Sequence, residues 1–255
     1  MVRALRSHEG DPPPVTILNP QGASQFVLVC EHASNFIPAR FGRLGLPEAE
    51  LVRHIAWDVG AADLTRALVS RLDAPAFLAN MSRLLIDCNR PLSSATSIPE
   101  VSERPIPGNQ KLDTAELLAR ARAWFEPFHA AISKHLDLRA ALGRPAAVIG
   151  VHSFTPVFNG VHRPIHVGVL FGASSTIGRA MVADLGRDGD LIVAENAPYS
   201  IDADDWTIPT HADARDLPGV LVEIRHDELA TPSMIDAWAD RLARALHHAW
   251  RSHAP

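Results

Sequence analysis

Short apolar runs that end in polar groups recur along this chain. Phe26 to His32 reads Phe-Val-Leu-Val-Cys-Glu-His, and the uninterrupted apolar stretch Val27 to Cys30 predicts a strand buried on both faces. Ala147 to Val151 predicts a second strand, with His152 opening the loop that follows. Val220 to Arg225 predicts a third, carrying Glu223 and Arg225. Arg83 to Arg90 reads as a fourth, with Leu84 to Ile86 as its apolar part and Asp-Cys-Asn-Arg at its end. Shorter strands are expected at Pro75 to Leu78, Ile165 to Phe171 and Leu191 to Ala194.

Between these runs the apolar period changes from strand-like to helical. Ala62, Leu64, Ala67, Leu68 and Leu72 fall on one helical stripe, and Asp58 is placed to cap it. Asp113 opens a long helix to about Leu142, which Pro127 should kink or divide. Ser174 or Ser175 caps a helix to about Gly186, and Pro232 starts the last one, to about Arg251. Strands alternating with helices predict an α/β fold of three layers, with a central mixed, mainly parallel sheet flanked by helices. Residues 1–22, rich in proline, are expected to form an irregular arm, and residues 23–255 one domain. Pro91 to Gln110 is a long connection of the kind that forms binding loops or lids.

The 255 residues are 47% hydrophobic, enough for one substantial core. The net charge of −5 disfavours a nucleic-acid protein with a strong basic face. No apolar run approaches the ~20 residues that span a bilayer, and there is no apolar leader, so a cytoplasmic protein is expected. Cys30 and Cys88 sit inside apolar runs and read as buried free thiols. Most of the 13 histidines, His129 among them, read as solvated helix faces.

In open α/β sheets the ligand crevice lies beyond the carboxyl ends of the strands. His32 and His152 both fall there, which suits a metal centre of the His and carboxylate type with one position left for water. The third ligand is open between Glu31, Asn35 and Asp58. Glu223, a carboxylate inside an apolar strand, is either paired with Arg225 on the same face or a general base raised by burial. Arg83, Asn89 and Arg90 suit an anion, since a guanidinium grips a carboxylate with two donors; alternatively Arg83 and Asp87 form a structural pair.

The ordered set His32-Ala-Ser-Asn35 with Ile37-Pro38, Trp57-Asp58, Arg83 and Asp87-Cys-Asn-Arg90, His152-Ser-Phe-Thr-Pro156, Glu195-Asn-Ala-Pro-Tyr199, His211 and Glu223-Ile-Arg225 resembles the N-formylglutamate amidohydrolase family. The resemblance implies a zinc-peptidase-like α/β fold, related to aspartoacylases, and zinc-dependent cleavage of the amide of an N-acyl amino acid such as N-formyl-L-glutamate. It implies one Zn²⁺ on His32, His152 and a third ligand, with Asp58 the leading choice because Asn35 stands where the zinc peptidases carry glutamate. It implies Glu223 and Arg83 as catalytic groups, Asn89 and Arg90 as anchors for an anionic small-molecule substrate, and His211 and Arg225 in the substrate-binding motifs. Glu31 where proline is usual, and Cys88 where leucine is usual, mark a divergent branch. The alternatives are another amidase of the aspartoacylase kind and a binding protein that has lost the metal.

Overall fold

The computed structural model describes residues 10–253. Its strands are β1 (Val15–Leu18), β2 (Phe26–Cys30), β3 (Ala76–Ala79), β4 (Ala147–Phe154), β5 (Val157–Phe158), β6 (Val161–His162), β7 (Val167–Leu170), β8 (Val193–Glu195) and β9 (Gly219–Arg225). Its α-helices are α1 (Glu48–Leu51), α2 (Ala61–Leu72), α3 (Thr114–Arg120), α4 (Glu126–Ala141), α5 (Ser175–Leu185), α6 (Thr207–His211) and α7 (Pro232–His253). Seven strands form one mixed sheet in the order β1-β3-β2-β4-β9-β7-β8, and β5 and β6 form a separate hairpin. The central pairings β3–β2, β2–β4 and β4–β9 are parallel.

Strand alternation divides the core into two layers. Phe26, Leu28, Ile149, Val151, Val220 and Val222 face α2, α5 and α7. Val27, Val29, Phe77, Val148 and Leu221 face α4 and the long connection before it. Every residue of β2, β4 and β9 is buried, which is why these strands read as unbroken apolar runs.

Four expectations need correction. Val15–Leu18, placed in the irregular arm, is an edge strand antiparallel to β3; residues 1–9 of that arm lie outside the described residues. Leu84 to Ile86 is not a strand: Leu85 N donates to Ser82 O in a turn, and these side chains fill the α4-side core. Burial alone made the run apolar, and a run of three cannot separate strand from buried turn. His152 lies inside β4 rather than after it, directly opposite Glu223 in register. Asp58 does not cap α2 with its side chain; Gly60, with φ +82°, holds the cap position. The Asp113 cap does form, its side chain accepting from Glu116 N. Pro127 is accommodated in the first turn of α4 by a π-helical turn over Ala121–Phe125.

Gly168 in β7 shows how tightly the next loop is held. A Cβ there would lie 2.0 Å from the Ala197 carbonyl oxygen, so only glycine lets the 196–199 segment cross the sheet at this height. Gly168→Ala is therefore expected to cost about 1–3 kcal/mol. Denaturant unfolding checks it, and an unchanged midpoint would mean that the loop yields freely.

Candidate active site

Three loops and two strands converge beyond the carboxyl end of the sheet. His32 follows β2, Asp58 precedes α2, and His152 stands in β4. The main chain ties the first two together, because Asp58 N donates to His32 O at 3.0 Å. Freed from the helix cap, the Asp58 side chain turns to both imidazoles. Its Oδ2 accepts from His32 Nδ1 at 3.2 Å, from His152 Nδ1 at 2.9 Å and from Ser153 N at 3.3 Å. The two rings stand nearly perpendicular with centroids 4.9 Å apart. One ligand atom from each of His32, Asp58 and His152 lies within 4.8 Å of the others, and all three residues are buried.

Each outer ring nitrogen meets a further carboxylate. His32 Nε2 donates to Asp87 Oδ1 at 2.8 Å, and His152 Nε2 lies 2.9 Å from Glu31 Oε2 in an ion-pair contact. Arg83 closes the network with Nε and Nη2 on Asp87 Oδ2 and Nη1 on Asp58 Oδ1. The structural Arg83–Asp87 pair thus forms, and the guanidinium also lines the cavity. Glu31 and His32 both face the centre because the strand, and with it the alternation, stops at Cys30.

The electrostatics follow from this crowding. Burial works against the charge on Glu31, Asp58 and Asp87, but the neighbouring cationic groups win. Glu31 falls to about 2 against His152 and His32, and Asp58 and Asp87 fall well below the ordinary carboxylate range. Burial and Arg83 oppose a proton on His32, yet Asp87 and Asp58 raise its pKa; Glu31 and Asp58 raise that of His152 well above the ordinary value, against burial. Three ionised carboxylates face one guanidinium, which leaves two negative charges that the protonated imidazoles balance. A divalent cation supplies the same charge in their place. The His, Asp and His donors, each imidazole braced on its far nitrogen by a carboxylate, fit such an ion.

Glu223 stands beside His152 on the α4-facing side of the sheet. Burial, with Asp58 adding to it and His152, His32 and Arg83 opposing, pushes its carboxyl up to about 7. Its Oε2 has no hydrogen-bond partner. The alternative pairing with Arg225 does not form, since Arg225 binds Asp227, Glu228 and two carbonyls of the 163–164 segment. A cavity of about 550 Å³ opens on the centre and is lined by His32, Asp58, Arg83, His152 and Glu223, with the long connection contributing Thr96, Pro99, Val101 and Ser102.

The remaining site residues separate. Asn89 and Arg90 line the cavity, but their side chains bind the protein's own Asp205. Asn35 donates to Leu51 O and takes no part in the centre. His211 and Arg225 are outside the cavity lining. His211 instead meets His129, with Nε2 2.9 Å from His129 Nδ1, and His129 Nε2 donates to Cys88 O at 2.8 Å. His129 is buried, not solvated. Its signal was in the sequence: it lies on the stripe Phe125, Phe128, Ile132 and Leu136 of the α4 region. Glu31 and Asp87 as braces, and the Tyr199 to Asp205 loop as a cavity wall, were not anticipated. Cys30 and Cys88 are buried, with burial raising both thiols well above their ordinary pKa, so neither is poised as a nucleophile.

The sheet thus carries at its strand ends a buried His-Asp-His cluster that could hold a metal ion, beside a glutamate whose Oε2 has no hydrogen-bond partner and which lines the same cavity. The family model for N-formylglutamate amidohydrolase matches residues 24–230, and the chain belongs to that family. The gene product Atu2144 of Agrobacterium tumefaciens is 36% identical, with a TM-score of 0.92 over 98% of this chain and 99% of that one. The N-formylglutamate amidohydrolase of Ralstonia eutropha JMP134 is 18% identical, with a TM-score of 0.67 over 95% and 99%, a likeness of fold. No curated protein matches. No described helix is long and apolar enough to cross a membrane.

Two outcomes follow. Glu31→Gln and Asp87→Asn are each expected to weaken divalent-metal affinity about 10- to 100-fold, measured by chelator competition. Unchanged affinity in both would remove the metal from this cluster. The His129–His211 pair carries a pH dependence. Burial, then the neighbouring His211, lowers His129 to about 3; burial, then Arg215, lowers His211 to about 4. Both are neutral when folded and take up protons near 6.5 when unfolded, so stability is full above about pH 6.5 and falls as the pH drops toward 3. The His129 share is on the order of 5 kcal/mol. His129→Gln should flatten this slope in unfolding titrations, and an equal slope would refute the assignment.

Proposed function

We propose that this chain is a metal-dependent amidohydrolase that cleaves the amide of small N-acyl amino acids, with N-formyl amino acids as the first substrates to test. The observation that carries this reading is the buried His32–Asp58–His152 cluster opening on the same cavity as Glu223. His32, Asp58 and His152 would hold the metal, and zinc suits their donor set. When bound, such an ion polarises a carbonyl and brings the pKa of coordinated water toward ~7.

The protein's own residues would divide the remaining work. Glu31 and Asp87 hold the two imidazoles in one tautomer and one orientation, so that both Nδ1 lone pairs point at the same place. Glu223, with a free Oε2, accepts a proton from the attacking water and returns it to the leaving amine. Arg83 keeps its fork fixed by Asp58 and Asp87 and presents its remaining N–H groups to the substrate's carbonyl oxygen or α-carboxylate. Asn89 and Arg90, expected from the sequence as anchors, lie on the outer part of the cavity and order the Asp205 loop. His211 and Arg225 lie outside the cavity lining and do not touch substrate in this reading.

Glu223→Gln separates binding from turnover. It is expected to retain one metal ion per chain by elemental analysis and to lose about 10²- to 10⁴-fold in kcat on N-formyl amino acids. A variant as active as the parent would take the base role away from Glu223, and a parent chain that neither holds metal nor depends on it would overturn the whole reading.

A further inference from the structure

The outer wall of the cavity carries an anion of its own. Asp205 Oδ1 accepts from Asn89 Nδ2 at 2.9 Å and from Arg90 Nη1 at 3.0 Å. Its Oδ2 accepts from Asp202 N at 3.0 Å, which fixes the turn that presents it. Arg90 Nη1 also donates to the carbonyls of Asn89 and Asp204. The other half of the Asn89 amide is spent as well, since its Oδ1 accepts from Trp206 N and Thr207 N at the start of α6. An asparagine–arginine pair facing a cavity is a natural grip for a carboxylate. Here the carboxylate it grips belongs to the protein.

We propose that Asp205 is a specificity-determining residue: it closes the Asn89–Arg90 pair to substrate carboxylates, so that the cavity selects N-acyl amino acids with an uncharged or cationic side chain over dicarboxylic ones. This inference rests on the amidohydrolase reading and narrows its substrate class. A second substrate carboxylate has two ways to bind here, and both are unfavourable. It can displace Asp205, which then stays beside it as an unpaired like charge in a partly buried place. Or it can remain among Asp202, Asp204 and Asp205, which line the same side of the cavity. Arg83 is the other arginine on this cavity, and it lies at the His-Asp-His cluster, where the proposed reaction would place the carboxylate or carbonyl next to the scissile bond. One substrate carboxylate finds the Arg83 guanidinium; a second finds only Arg90, whose Nη1 is already held by Asp205.

The isosteric pair N-formyl-L-glutamate and N-formyl-L-glutamine isolates the charge. With the zinc-loaded parent, kcat/KM is expected to favour the glutamine derivative by about tenfold, with the difference in KM. In D205A that preference should shrink to about threefold or reverse, through a lower KM for the glutamate derivative. D205N, which removes the charge but keeps an acceptor on Asn89 and Arg90, should shift it the same way and guards against a collapsed loop. A parent that prefers the glutamate derivative, or variants that weaken both substrates equally, overturns the proposal. Glutarate binding by calorimetry is the readout independent of turnover. Tighter binding of about tenfold by D205A supports the proposal and equal affinity rejects it, even where no N-acyl amino acid is cleaved and the amidohydrolase reading itself has failed.

Discussion

One carboxylate oxygen, Asp58 Oδ2, is shared by two imidazoles from separate parts of the chain. Burying charged groups this deeply is unfavourable unless each finds its counterpart. The rest of the centre follows from that demand. Asp58 needs Arg83 on its other oxygen, Arg83 needs Asp87, Asp87 needs His32, and His152 needs Glu31. Remove any member and a neighbouring buried charge is left without its partner. The network is self-consistent with two protons on the imidazoles or with one divalent ion in their place, so the cluster could hold such an ion without a change in its charge balance.

The sheet supplies the precision that such a network requires. β2, β4 and β9 are adjacent and parallel, so their carboxyl ends arrive together. His152 and Glu223 are register partners, and a one-residue slip in β4–β9 would send one of them to the α7 side. The unbroken apolar runs hold that register from both faces. The groups that do chemistry therefore sit on the most constrained part of the molecule, while the walls around them come from loops.

This division also explains what could be read from the chain. The buried strands, the Asp113 cap, the stripes of the helices and the groups at the strand ends were legible, because each signal lies within a few residues. His32, His152 and Glu223 stood out this way, and the ordered motifs gave the family. What escaped depends on distant partners. Asp58 looks like a helix cap until His32 O, His152 and Arg83 surround it. Leu84 to Ile86 looks like a strand because the α4-side core demands the same residues from a turn. Glu31 would face away if strand alternation ran one residue further, but β2 ends at Cys30. Asn89 and Arg90 were recognised as an anion grip, but their partner stands more than a hundred residues on, in a loop with no pattern of its own.

That last pairing joins selection to chemistry. Asp205 holds the Asn89 side chain, Asn89 N donates to Asp87 Oδ1 at 2.8 Å, and the same oxygen accepts from His32 Nε2. The Asp205 wall and the His-Asp-His cluster are thus consecutive links of one hydrogen-bonded chain. A ligand that pulled Asp205 away would do more than meet an unpaired charge: it would loosen the residue whose backbone helps fix the Asp87 brace, and so the orientation of His32. Loops ordinarily vary without consequence for a rigid scaffold. This one is bonded into the scaffold's most charge-dense point, so a change of substrate charge here must either be compensated at Asp87 or felt at the imidazole.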